Sequence, residues 1–291
     1  MAKIRDLRDL VTSFRVWWKE DAQSGDEVMG ASEGWDMSVE NGEWIMKGMD
    51  WNDPYRIRTW QELINWINEI GFLPLFGNEV EGFSAEEHTS ARYWWTGNRK
   101  EDPWEWREII AASHQVAYGK FFGNKAGFIS LEWLPYFVNC RRDGYDFDAR
   151  YQDGLASRRE KKIMDFYLGE NAEGDTIYRD DRILSTELKK MAGFGKEGEK
   201  NYPGVITGLQ MQTYLVIADF ERRRNKRGEE YGMAVSILLS PEALWGYDRV
   251  TAAYSESPKA SWDRIFQQVK KLYPQASDAA IKKVIGTRGE E

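Results

Sequence analysis

The run Asp102 to Arg107, DPWEWR, groups the side chains best suited to chemistry: carboxylates, two indoles and a guanidinium at the start of a predicted helix. The helix dipole stabilises Glu105 as an anion near this end. Trp104 and Trp106 are two residues apart and point in different directions, so at most one fits a core. The run predicts either a cleft site with Glu105 and Arg107 beside an exposed indole, or a capped helix start with a core Trp.

Three further groups could take part in a site. Gln210 and Gln212 carry two side-chain amides, but residues two apart on a helix do not face one another, so one shared site and two unrelated amides both stay open. His88 precedes an Arg-aromatic run and is either a base or a packed side chain. Cys140, beside two arginines, has no His nearby in sequence and is interpreted as structural.

Basic residues are concentrated in short runs rather than spread over the chain. Arg222, Arg223 and Arg224 precede a predicted strand, where a basic turn can reach a phosphate backbone or be solvated. Arg141 and Arg142 form a second pair. The formal net charge of −8 and the pI of about 5.2 argue against coating nucleic acid non-specifically, but they permit a local basic face.

Composition predicts a folded protein with no resident metal or cofactor. Apolar residues make up 42% of the 291 and aromatic residues 14%, which is enough for a sizeable core. One Cys and two His are too few for a Cys/His zinc site of four ligands, and nothing in the spacing indicates a carboxylate metal site. There is no apolar run long enough for a membrane helix and no secretory signal, so we expect a cytoplasmic location and no membrane partner.

Hydrophobic periodicity and caps predict the elements that position these residues. Helices are expected over residues 1–30, after Thr59 with Gly71 as its stop, after Ser84, from Pro103 through WEWREIIAAS, over Leu131 to Asn139 and over Ala156 to Tyr167. Residues 24–34 are expected to form a loop, and the segment around Trp44 a short strand or irregular stretch. FLPLF is expected to be extended because of Pro74, and Val116 to Phe122 to be a strand.

The predicted helices and strands in the last third of the chain follow the order of a known motif. A short helix after Ser185, a long helix from Pro203 to Arg223, a basic turn and the strand YGMAVSILL have the order of a winged helix-turn-helix unit. Helices are also expected over Ser261 to Leu272 and Ser277 to Ile285. The predicted fold class is α+β, predominantly helical with winged helix-turn-helix units and short β-hairpins. Two regions are expected, residues 1–168 and 169–291.

Several segments together carry a family resemblance. The helix ELINWINEIGF, the stretch YGKFFGNKAGFISLEWLPYFVNCRR from Tyr118 to Arg142, and residues 185–240 resemble segments of the AlkZ/YcaQ family of DNA glycosylases, which are built from winged-helix units. The chain is similar to the proteins called AlkZ-related over roughly residues 59–240. The resemblance implies binding of DNA and excision of alkylated bases. Trp104, Trp106 or Trp133 would then stack on a base.

Two positions depart from the pattern of that family. Its catalytic polar pair, Gln-x-Gln or Gln-x-Asp, follows the first helix, where this chain has Leu73, Pro74 and Leu75; a family His is replaced within Gly123-Asn124-Lys125. Catalysis would then need other residues, with Glu105, Gln210 and Gln212 as candidates. The predicted DNA- or substrate-binding residues are His88, Trp104, Trp106, Arg107, Asn124, Lys125, Trp133, Arg141, Arg142, Arg222, Arg223 and Arg224. Two functions stay open: a glycosylase-like enzyme, and a non-catalytic winged-helix protein binding nucleic acid or a ligand.

Overall fold

A computed structural model describes residues 46–287 and the backbone of two short strands before them, Val39–Glu40 (β1) and Glu43–Trp44 (β2). The helix predicted over residues 1–30 and the loop over 24–34 lie outside the described residues. The described helices are α1 (Trp60–Ile70), α2 (Pro103–Ser113), α3 (Leu134–Arg142), α4 (Phe147–Gln152), α5 (Arg158–Met164), α6 (Ser185–Met191), α7 (Tyr202–Met211), α8 (Pro241–Trp245), α9 (Tyr247–Val250), α10 (Pro258–Leu272) and α11 (Asp278–Ile285), with a 3₁₀ turn at Ala91–Tyr93.

The strands form small antiparallel sheets. They are β3 (Phe72–Pro74), β4 (Val116–Phe122), β5 (Lys125–Ser130), β6 (Leu168–Glu170), β7 (Thr176–Tyr178), β8 (Ile183–Leu184), β9 (Val216–Arg224) and β10 (Glu230–Leu239). One sheet has the order β3-β5-β4 and another β8-β10-β9; β1 pairs with β2, and β6 with β7. Helices with small antiparallel sheets confirm the predicted α+β class.

Helix α1 forms as its sequence predicts. Thr59 accepts a hydrogen bond from the backbone N–H of Glu62 at 3.2 Å, and so it caps the helix. One apolar stripe is buried against the core, and it consists of Leu63, Ile64, Ile67 and Ile70. Gly71 ends the helix with a φ of +98°, a conformation that favours glycine. The chain then enters β3 at Phe72, so the extended segment before Pro74 is confirmed.

The sheet β3-β5-β4 lies at the centre of the first hydrophobic cluster. Leu73 and Tyr118 both pair with Phe128 on the middle strand, and all three side chains are buried. This cluster draws most of its apolar side chains from residues 57–138 and from the C-terminal helices α10 and α11, with further members at Val216, Val250 and Ala276. The strand predicted over Val116 to Phe122 is confirmed, as are the helices from Pro103, over most of Leu131 to Asn139, and at the C-terminal end.

The helix predicted after Ser84 is wrong, because the segment forms turns instead. Its backbone N–H groups at Ala85 and Glu86 donate to the carbonyls of Pro74 and Leu75, at 2.9 and 3.0 Å. Those carbonyls belong to a distant part of the chain, and a capping pattern in the sequence carries no information about them. Tertiary hydrogen bonds therefore override the local signal for a helix.

The long helix predicted from Pro203 to Arg223 is also wrong. Helix α7 ends at Met211, and Thr213 reverses the chain with a φ of +63°. Residues 216–224 form β9, in which Val216 and Ala218 are buried on one face, with the two-residue spacing of a strand rather than that of a helix. The hairpin β9–β10 follows, and its second strand confirms the predicted strand YGMAVSILL.

A second hydrophobic cluster fills the space between α6, α7 and the sheet β8-β10-β9. Its buried members include Leu188, Leu209 and Leu238, and it extends back to Phe147 on α4. Helix α4 was not predicted, and α5 covers only Arg158–Met164 of the helix expected over Ala156 to Tyr167. The division of the chain after residue 168 stays a prediction.

Candidate functional site

The start of α2 is built by a buried carboxylate. Asp102 accepts three backbone hydrogen bonds, from Trp104 at 2.8 Å, Gly97 at 2.9 Å and Trp95 at 3.0 Å. Pro103 occupies the first turn, where its missing N–H costs nothing. Burial raises the pKa of Asp102 despite these three donors. The side chain fixes the helix start and the loop before it in one place.

The two indoles of the DPWEWR run separate as their spacing predicts. Trp106 is buried in the core with 1% of its surface exposed, whereas Trp104 is half-buried. The guanidinium carbon of Arg107 lies 3.8 Å from the Trp104 ring centroid and 4.6 Å from that of Phe220 on β9. Both are cation–π distances. Trp104 therefore packs against a cation contributed by its own helix.

Glu105 is held by an arginine from the hairpin. Nη2 of Arg222 donates to both oxygens of Glu105, at 2.8 and 2.6 Å, and approaches Glu108 at 3.4 Å. Arg107 in turn donates to Glu108 at 3.2 Å. Burial raises the pKa of Glu108, although both arginines favour its charged form. We call these four residues the α2–β9 charge cluster. It holds the turn-proximal end of β9 against α2.

The structure does not bring Gln210 and Gln212 to one place. Gln210 is buried; its Oε1 accepts from the backbone N–H of Lys120 at 3.0 Å, and its Nε2 donates to the carbonyl of Ile206 at 3.3 Å. Gln212 donates to Glu160 at 2.9 Å. The first amide supports strand β4, and the second supports helix α5. The two amides are therefore engaged with different elements.

Arg142 lies inside the protein. It pairs with Glu242 on α8, donates to the carbonyl of Thr213 at 2.7 Å and stacks 4.4 Å from the Tyr214 ring centroid. The carboxylate of Glu242 raises the pKa of Arg142 in spite of burial. This guanidinium joins α3 to the end of α7 and the start of α8.

Arg141 also turns inward. It donates to the carbonyl of Phe121 and lies 4.7 Å from the Phe137 ring centroid. Burial lowers the pKa of Arg141 to about 10. The basic pair that ends α3 is thus engaged with the protein's own backbone and rings.

Of three other predicted binding residues, His88 lies apart from the adjacent pair Asn124 and Lys125. His88 bonds the carbonyl of Gly82 through Nε2 at 2.8 Å. Asn124 forms the β4–β5 turn with a φ of +65°, and its backbone N–H donates to the sulfur of Met211 at 3.3 Å. Lys125 follows as a half-buried residue. Asn124 therefore brings the β4–β5 turn against α7.

Arg223 and Arg224 are exposed near the turn of the β9–β10 hairpin. Arg224 pairs with Glu230 across the hairpin at 3.1 Å. Asn225 fixes the turn, since its Oδ1 accepts from the backbone N–H groups of Arg227 and Glu229 at 2.8 and 3.1 Å. The basic side chains are thereby carried on a defined turn.

Trp133, the last predicted binding residue, lines a surface depression of about 340 Å³ between α3 and α10. Sequence reasoning missed the opposite wall, which includes Arg264, Gln267 and Lys271. Their spacing of three and four residues places them along one strip of α10. The helical spacing of this strip can be recognised in the sequence, but its position opposite Trp133 cannot.

Two features of the described residues bear on ligand classes. Within residues 46–287 no three His, Cys, Asp or Glu side chains are grouped closely enough to hold a metal ion. The helices of the same part of the chain are too short or too polar to cross a membrane.

The fold and these contacts describe an α+β protein with helices and small antiparallel sheets. The family model described as AlkZ related matches residues 57–286. The chain therefore belongs to the AlkZ-related family, as the resemblance of its segments implied, and this relates it to DNA glycosylases. Searches of curated proteins and of solved structures give no match.

Proposed function

We propose that this chain binds DNA through the β9–β10 hairpin and does not excise alkylated bases. Leu73 and Leu75 are the evidence against base excision. They stand where the resemblance places a catalytic polar pair, and both have 0% of their surface exposed. Neither side chain can orient water or stabilise the charge that develops on a sugar.

The alternative catalytic candidates have other partners. Glu105 accepts from Arg222, Gln210 accepts from Lys120, and Gln212 donates to Glu160. A general base must reach the proton that it removes, within about 3 Å or through one water. Three side chains that face different elements do not meet that requirement together, which favours binding without excision.

The arrangement of residues 183–239 supports the proposed binding of DNA. The order β8, α6, α7, β9 and β10, with β8 paired to β10, fits a winged helix-turn-helix unit. In such a unit the second helix enters the major groove. Here Lys120 and Asn124 of the β4–β5 hairpin contact α7 at Thr207 and Met211. Because the β4–β5 hairpin covers this face of α7, we expect the β9–β10 hairpin rather than α7 to contact DNA.

The turn of that hairpin has the composition expected for phosphate contacts. Arg223, Arg224, Lys226 and Arg227 are exposed, alongside the acidic residues Glu221, Glu229 and Glu230. Contacts to phosphate position a protein on DNA without reading its sequence. The expected binding is weak, salt-dependent and largely independent of sequence.

Fluorescence anisotropy with a labelled duplex at about 50 mM salt tests the binding part. Replacing Lys226 and Arg227 with Ala should weaken binding and lower the salt slope by about 1.8, which corresponds to two phosphate contacts. The matched control replaces exposed Lys190 and Lys282 with Ala, which removes the same charge elsewhere. Equal losses in both double variants, or no binding at low salt, would refute the hairpin contact.

Excision is tested separately, with a duplex that contains an alkylated purine. We expect no abasic product after prolonged incubation with the full chain. Formation of that product, abolished in a Glu105→Gln variant that still folds, would establish the enzyme instead.

A further inference from the structure

The depression at Trp133 lies where two helices cross over the end of α1. Asn139 on α3 donates to Ser261 on α10 at 2.9 Å, and Arg264 stacks on Tyr136. Residues later in α10 thus meet residues earlier in α3, so the two helices run antiparallel. At their open end they leave a space of about 340 Å³. That volume lies within the usual size range of small-ligand sites.

One wall of the space is a fixed pair of aromatic rings. Trp133 and Tyr136 have ring centroids 5.7 Å apart at 66°. The indole is packed closely against Gly71, since a Cβ at that position would lie 2.6 Å from the indole Nε1. Phe72 supports the same indole at 5.4 Å. Rigid aromatic walls of this kind are the usual stacking surface for nucleobases.

The other wall carries cations and amides. The guanidinium of Arg264 lies 4.7 Å from the Tyr136 ring centroid and pairs with Glu256 at 3.2 Å. Lys271 is exposed two turns further along α10. Gln267 is exposed between them. Gln268 donates from Nε2 to the carbonyl of Ile70 at 2.9 Å, which fixes its amide and leaves its Oε1 as an acceptor.

From this arrangement we propose that the depression binds a nucleotide, with the base against Trp133 and Tyr136 and the phosphate near Arg264 and Lys271. The aromatic rings suit the base, and the cations of α10 suit the phosphate. Glu132 lines the aromatic side. Its carboxylate can accept from an exocyclic amino group, which favours amino-bearing bases over thymine.

The nucleotide could be free or part of a DNA strand, and the chemistry is the same in both cases. In the second case the proposal deepens the proposed function, on which it then rests, by adding a second contact with DNA. Its residues are separate from those of the β9–β10 hairpin, so the two proposals can fail independently.

The site is tested by calorimetric titration of the full chain with dAMP, raised to a concentration of about 1 mM, which measures the dissociation constant. We expect adenosine and inorganic phosphate each to bind at least about tenfold more weakly than dAMP, since each fills one end only. Lys271→Ala and Tyr136→Leu should each weaken dAMP at least about tenfold. The matched controls Lys282→Ala, an exposed lysine on α11, and Tyr136→Phe, which keeps the ring, should leave the affinity unchanged.

A short single-stranded oligodeoxyadenylate distinguishes the source of the ligand. Tighter binding than dAMP with the same dependence on Lys271 indicates a nucleotide within a strand, and equal binding indicates the free nucleotide. The Lys226→Ala/Arg227→Ala variant should retain full dAMP binding, whatever it does to duplex binding. Absence of dAMP binding, or equal losses in Lys271→Ala and Lys282→Ala, would overturn the site.

Discussion

Arg222 on β9 donates from a single nitrogen to both carboxylate oxygens of Glu105 on α2, at 2.8 and 2.6 Å. The two residues are 117 positions apart in sequence. Glu105 has 7% of its side chain exposed and Arg222 28%, so the pair is largely withdrawn from water. It places the turn-proximal end of β9 against the helix that carries Trp104 and Arg107.

Removing the arginine should therefore destabilise the fold. Arg222→Ala leaves Glu105 and Glu108 as neighbouring buried carboxylates, and we expect the free energy of unfolding to fall by about 2 kcal/mol. Urea denaturation followed by circular dichroism measures the change.

Arg224→Ala is the matched control for that variant, because it removes an arginine from the same hairpin. Arg224 and its partner Glu230 are both largely exposed. Such exposed pairs contribute less than about 1 kcal/mol. Equal destabilisation of the two variants would show that the contact between Arg222 and Glu105 adds nothing to the fold.

Glu108 should give the protein a measurable pH dependence. Burial raises the pKa of its carboxyl in the folded state. Between the unfolded value, about 4.3, and the raised folded value, the native state holds a proton that the unfolded state has lost. The free energy of unfolding therefore decreases as pH rises through that window.

Glu108→Gln removes this titration, and the variant should be at least as stable as the parent at about pH 7. The advantage should shrink as pH falls toward about 4, where the parent carboxyl is protonated in both states. Urea midpoints at several pH values give the comparison. A variant that is less stable near neutrality, with a deficit that grows with pH, would show that the ion pairs of Glu108 outweigh its burial.

Local signals in the sequence predicted those elements that local interactions determine. Thr59 and Gly71 bound α1, Asp102 and Pro103 start α2, and the separation of Trp104 from Trp106 follows from helical geometry alone. The helix expected after Ser84 failed because its N–H groups bond to β3 and the segment after it. No pattern within a short window contains that information.

The site was harder to predict, since its contacts join distant segments. Arg142 and Arg222 read as exposed basic residues in the sequence, whereas the fold pairs them with Glu242 and Glu105, respectively. Residues 216–223 are predicted as part of a long helix, whereas Thr213 reverses the chain and Val216 and Ala218 are buried at the two-residue spacing of a strand. Basic residues acquire their roles from partners far along the chain, as the bond from Arg142 to Thr213 illustrates.

Gly71 is expected to be the glycine least tolerant of a side chain near the depression. Gly71→Ala places a Cβ 2.6 Å from the Trp133 indole on a backbone with a φ of +98°. We expect a loss of about 3 kcal/mol, from backbone strain and the displaced ring together. Thermal unfolding, with near-ultraviolet circular dichroism for the indole, measures both effects.

Gly97→Ala separates these two causes. Gly97 also has a positive φ, +72°, but a Cβ there has no heavy atom within 4 Å. Only the cost of the positive φ for a residue with a Cβ should remain, about 1 kcal/mol of the free energy of unfolding. If Gly71→Ala costs no more than Gly97→Ala, then Trp133 moves freely and does not form a fixed wall.

The two glutamines should behave differently when they are truncated. Gln210→Ala leaves the backbone N–H of Lys120 without its acceptor at the junction of β4 and α7. We expect this loss to cost about 2 kcal/mol of the free energy of unfolding. Gln212→Ala removes only a half-buried bond to Glu160. Its effect should stay within about 0.5 kcal/mol.

Urea denaturation of both glutamine variants measures the difference between their free energies of unfolding. An excision assay on the same two proteins tests whether the two amides are catalytic instead. A structural Gln210 predicts that only its own variant loses stability, because its amide supports β4 while the amide of Gln212 supports α5. If instead both variants unfold like the parent and both abolish excision of an alkylated base, the two amides act as one catalytic pair and the structural role assigned to Gln210 is wrong.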